Sequence, residues 1–180
     1  MNLNEIRSAI MGILSGNPKD EPMHYGEVFA IWTNLFTNNG LITAYQTFLQ
    51  HAGDEDLKKL IEEAIECMQN ENPQLEELLK ANGLGLPPAS PDRPVAKLED
   101  IPVGARFTDP EISTALSMDI AAGLVACSQA IGQCIREDIA MMYGQFHAAK
   151  AQLGAKFLRL NKNKGWLVPP PLHVHRPEQE

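Results

Sequence analysis

The side chains best placed to do chemistry in this 180-residue chain are five histidines and the acids beside them. His24 and Glu27 stand at i and i+3, which puts both on one face of a helix, and a neutral imidazole beside a carboxylate is half of a zinc or iron site. His173 and His175 stand at i and i+2 in a proline-rich tail, where extended backbone turns both to the same side. His51 shares a turn with Asp54 and Asp56. The metal candidates are therefore His24, Glu27, His51, His173 and His175, with zinc or iron as the ion. Each has a simpler reading, as a helix cap or a contact residue, and the leading expectation is a chain without a cofactor. A carboxylate-bridged dinuclear site needs Glu-x-x-His on two helices. The long helical stretches carry none: Ile65, Glu66, Gln69 and Gln74 follow three residues after Glu62, Glu63, Glu66 and Glu71, and Gly144 stands three before His147. No nucleophile-base pair, phosphate loop or nucleotide fingerprint appears, so catalysis is not expected.

Four long helices must position these groups. The first runs from about His24 to Ala52, its apolar stripe passing in phase through Ile31, Leu35, Ile42, Tyr45 and Leu49, with an amide of the Asn38-Asn39 pair near the core. Asp54 is a credible N-cap for the second, which keeps its stripe to Leu79 and is expected to kink or split at Asn72-Pro73. Residues 84–107 hold five prolines and no helical period, and form a crossover. At about 3.3 Å per residue it can span a helix of about 42 Å. Asp109 is expected to cap the third helix, whose many alanines and glycines suit a central, closely approached position. Asp119 there calls for a partner among Glu27, Tyr45 and His147. The fourth runs through Ile139, Phe146, Phe157 and Leu160 to Lys164 and a C′ glycine, Gly165. This is an all-α pattern: a ferritin-like, up-down-down-up four-helix bundle (19–168, crossover 84–107), with a short N-terminal amphipathic helix (1–18) and an extended tail (169–180).

Composition narrows the partners. The chain is 44% hydrophobic and carries a net charge of −8 with no basic cluster, which disfavours nucleic acid. Three cysteines, Cys67, Cys127 and Cys134, fall in helical patterns and read as small core hydrophobes. No leader and no run of about 20 consecutive apolar residues is evident, so a cytoplasmic placement without a membrane span is expected.

Taken together, Pro22-Met23-His24-Tyr25-Gly26-Glu27-Val28, His51-Ala52-Gly53-Asp54, Leu86-Pro87-Pro88 and Gly165-Trp166-Leu167-Val168-Pro169-Pro170-Pro171 carry a likeness across nearly the whole chain. It resembles an uncharacterised, spore-coat-like, ferritin-like helical bundle family of spore-forming bacteria. The resemblance implies a non-enzymatic structural or interaction role, spore association, and a homo-oligomeric or coat-protein partner. A mononuclear His/Glu metal site is the alternative.

Overall fold

A computed structural model of the chain describes residues 21–171 and 173. The expected N-terminal helix over 1–18, and His175 with most of the tail, lie outside those residues. Among the described residues there are four long helices and no strand: α1 Tyr25–His51, α2 Glu55–Ala81, α3 Asp109–Gln133 and α4 Glu137–Lys164. Two single 3-10 turns, Leu98–Asp100 and Val103–Ala105, interrupt the crossover.

The helix ends show why the chain folds this way. His24 caps α1 with Glu27 in a reciprocal box, and Asp54 caps α2 by accepting from the backbone of Asp56 and Leu57. Two expectations need correction. Thr108, not Asp109, caps α3, in a box with Glu111. Asp109, freed from capping, instead accepts from the Gly53 amide at 2.8 Å and ties the α1–α2 turn to the start of α3. Second, of the kink or split expected at Asn72-Pro73 the split is excluded: α2 is one α-helix through Pro73, continuing to Leu79 and beyond as its stripe requires. Proline removes one intrahelical bond. Around it, Asn38 donates to Asn72 and Asn72 donates to Asn39, so side chains of α1 brace the weakened turn. Gly165 ends α4 at φ 70°, the left-handed conformation glycine tolerates, and the backbone of Trp166 and Leu167 bonds back to Asn161.

Contacts at the two ends fix the helix order. At one pole His51, Asp54, Phe107, Asp109 and Lys164 meet; at the other His24 reaches Gln133, and Glu27 reaches Ile135 and Arg136. The order is therefore up-down-down-up. α1 packs on α2, α3 on α4, and α2 on α4, and of the side-by-side pairs α1 and α3 are the most loosely packed.

That spacing corrects the expectation of a central α3. Close approach does occur toward α4, where a side chain at Gly123 would meet Lys150 and one at Gly154 would meet Ile120. The opposite face, including Ala121, Ala122, Val125 and Ala126, is exposed. Small side chains admit a neighbour but bury little area themselves, so α3 is held mainly from the α4 side, with lighter contact to α1 and α2. Among the described residues, Val103–Gln133 is the one segment apolar and long enough by composition to cross a membrane, with 22% of its most apolar window buried.

Candidate functional site: a polar layer and the cleft beside it

The core is divided. One apolar cluster gathers Tyr45, Leu57, Ile61, Ile112, Leu116 and Phe157; the other gathers Ile31, Leu35, Leu75, Leu79, Ile139 and Tyr143. Between them each helix contributes one residue at the same level: Asn38 from α1, Glu71 from α2, Gly123 from α3 and Lys150 from α4. Glu71 and Lys150 occupy core phase, three or four residues from a buried apolar neighbour on either side, and Asn38 lies three residues after buried Leu35 and three before half-buried Leu41.

Glu71 is the hub. Its side chain is 3% exposed; one oxygen takes the Lys150 ammonium and the other accepts from Asn38 Nδ2 at 3.0 Å. Cys67 sits one turn earlier, its sulfur 3.9 Å from Glu71. The Lys150 stem passes over Gly123, where an added Cβ would lie 3.1 Å from its Cδ and Cε, and its ammonium lies 5.6 Å from the Phe146 ring centre. A glycine here is thus what lets lysine cross from α4 to α2.

Beside this layer, where α1 and α3 stand apart, opens a cleft of about 360 Å³, within the range of small-molecule sites. Its walls are mainly apolar, among them Ala30, Leu41, Met68, Ile120 and Ala126. Polar groups on the lining include Asn38 and Lys150 of the polar layer, Asp119, which accepts from Tyr45 Oη at 3.2 Å, the pair Asn34 and Tyr143, and Thr33, Thr37, Gln129 and Gln133. Burial, then the charge of Asp119, pushes the Tyr45 phenol's pKa up; burial does the same for Tyr143 and for the thiols of Cys67 and Cys127. Cys134, the C-cap of α3, is pushed up to about 11 by burial. The three cysteines are free thiols with suppressed thiolate character.

The histidines serve elsewhere. His24 Nδ1 accepts from the Gly26 amide at 2.9 Å and Nε2–H donates to the Gln133 carbonyl at 3.0 Å, which fixes the neutral tautomer and engages both ring nitrogens. Glu21 stands three residues before His24, but His24 is a cap, so the two do not share a helical turn. Glu27, fully buried, accepts from the amides of His24, Ile135 and Arg136, clamping the α3–α4 turn to the start of α1. His51 is buried at the opposite pole, accepting from the Phe107 amide and packing on its ring. His173 is exposed and His147 half-buried. The described structure brings only His24 and Glu27 together, 3.8 Å apart. Among the described residues no three His, Cys, Asp or Glu side chains are grouped to hold a metal.

Comparison with known proteins matches this architecture to a family. The model of the family described as "Protein of unknown function (DUF3231)" spans residues 11–178. The chain belongs to the DUF3231 family. It is 60% identical over 166 residues to the uncharacterized protein YvdQ of Bacillus subtilis (strain 168), covering 92% of this chain and 98% of the relative. A crystal structure from Bacillus halodurans C-125, described as a candidate spore coat protein, is 70% identical, covers 88% of this chain and all of that one, and superposes with a TM-score of 0.87. A conserved hypothetical protein, rv2844, from Mycobacterium tuberculosis shares the fold at a TM-score of 0.61 and 12% identity, over 75% of this chain and 96% of that one.

Proposed function

We propose that this DUF3231 chain is a non-enzymatic structural protein of the spore that works by packing against other proteins. The observation that carries the reading is the outer face of α1. Tyr25, Phe29, Trp32 and Phe36, at helical spacing, form an exposed aromatic stripe on the same helix that buries Ile31 and Leu35 inward; Tyr25 is 95% and Phe29 70% exposed. A helix apolar on both faces is normally buried on both, and clustered aromatics are favoured at protein interfaces. Trp32 and Phe36 are stacked at 5.5 Å, and Trp32 Nε1–H donates to Gly85 of the crossover, so that part of the stripe is held in place. The coat description of the Bacillus halodurans relative supports the location. The suppressed thiols and the paired, buried charges of the polar layer favour a packing role over a reactive one.

Fractionation of spores from a sporulating Bacillus tests this. The wild-type chain is expected in the coat extract, and the Tyr25→Ser/Phe29→Ser variant, folded by circular dichroism, is expected to shift to the soluble fraction. Wild-type protein missing from the coat extract, or a variant retained as well as wild type, overturns the reading.

A further inference from the structure

Among the described residues, two buried side-chain atoms have no hydrogen-bond partner in the protein, Tyr143 Oη and Asn34 Nδ2, and both residues line the cleft between α1 and α3. Tyr143 is 1% exposed. Buried polar groups are nearly always paired, and leaving one unpaired is costly. Two orphans on side chains that line one mainly apolar cleft are the pattern of a binding site whose polar groups orient an otherwise apolar guest.

We propose that this cleft binds a neutral, mostly apolar small molecule whose carbonyl or hydroxyl oxygens accept hydrogen bonds from Tyr143 Oη and Asn34 Nδ2. The charge on the head group follows from the walls. Among the described residues Lys150 is the one cation lining the cleft, and Glu71 already holds it, while Asp119 adds a further negative charge. A carboxylate guest would place a third anion beside a single ammonium. A cationic guest offers no acceptor to the Asn34 amide, which can only donate through Nδ2. A neutral acceptor satisfies both orphans and leaves the Glu71–Lys150 pair intact. The size follows from the volume: at roughly 30 Å³ per water-sized group the cleft takes about a dozen heavy atoms.

The test uses three probes of similar length and different charge, 2-decanone, decanoate and decylammonium, titrated into the full chain and followed by ligand-observed NMR and thermal shift. Saturable one-to-one binding of 2-decanone is expected, tighter than either charged probe. Tyr143→Phe should weaken it about tenfold, the worth of one buried hydrogen bond, with the fold unchanged by circular dichroism. Ala126→Phe, which starts from an exposed position on the cleft wall and so tolerates the added ring, should abolish it. The proposal is overturned by the absence of saturable binding of 2-decanone, by tighter binding of decanoate or decylammonium, or by 2-decanone binding that both variants leave unchanged. None of these readouts depends on spore location, so failure here is distinct from failure of the packing role.

Discussion

Replacing Lys150 with methionine isolates what the polar layer does. Methionine keeps the unbranched stem that lies over Gly123 and Phe146 but removes the ammonium, leaving Glu71, among the described residues, with Asn38 as its strong donor. Both partners are well buried, Glu71 at 3% and Lys150 at 12% side-chain exposure. Breaking such a pair from one side costs about 3 to 5 kcal/mol, because an uncompensated charge stays inside. Against a total stability of about 5 to 15 kcal/mol that is a large share. Neutralising the partner as well should reverse most of the loss: Glu71→Gln/Lys150→Met keeps an acceptor for Asn38 and buries no charge, and is expected within about 1 kcal/mol of wild type. Equilibrium urea unfolding at pH 7, followed by far-UV circular dichroism over the four-variant cycle, reads these numbers. A Lys150→Met loss below about 1 kcal/mol would mean that water screens the pair and the layer is not dry. A double variant as unstable as the single would mean that shape, not charge, set the cost.

Three further outcomes follow from the geometry. Gly123→Leu should cost about 1 to 3 kcal/mol in the same urea assay, since even a Cβ meets the Lys150 stem at 3.1 Å; an unchanged midpoint would put that face in solvent. Glu27→Ala should lower the thermal midpoint more than any other single acid-to-alanine change at that pole, because three amides lose their acceptor. A pH series tests Asp138, whose carboxyl is held below the usual carboxylate range by Arg136. A depressed carboxyl stabilises above its unfolded value, about 3.9, and loses that contribution as pH falls through the folded value. Asp138→Asn should therefore be less stable than wild type at pH 7 and converge with it in strong acid; a gap of constant size down to pH 2 would refute the linkage.

The helices were legible because their stripes are long and in phase. Asp54 as a cap and the C′ glycine Gly165 were readable from residue type and spacing, and Tyr45 is one of the three partners the sequence offers Asp119. The cap of α3 was misplaced by one residue because Thr108 and Asp109 both suit the position, and only tertiary contact decides that Asp109 is used by Gly53. Pro73 suggests a kink or split because local chemistry weakens that turn; the amides that keep the helix from splitting come from α1, 33 or 34 residues away in sequence. The polar layer was missed although its signal is present. Asn38, Glu71 and Lys150 each interrupt an apolar stripe in core phase, and three interruptions on three helices can be satisfied together only if they meet. The cleft had no such signal, because it arises from how far apart α1 and α3 stand.

The layer also bears on how the two hairpins find their register. Apolar side chains at similar spacings pack nearly as well after a slip of one helical turn, about 5.4 Å. Glu71 and Lys150 do not share that tolerance. Such a slip of α3–α4 against α1–α2 would move Lys150 to the level of Leu75 or of Met68 on α2, and leave both charges buried without partners. The penalty for one broken buried pair, about 3 to 5 kcal/mol, exceeds what an alternative apolar packing can recover in a core of interchangeable leucines and isoleucines. Glu27 at one pole and Asp109 at the other add donors and acceptors that match only in the same register. The buried charges therefore contribute to the choice among bundles more than to the stability of this one, and the double variant of the Lys150 cycle, expected to retain stability, is where any loss of that choice would become measurable as a broadened unfolding transition.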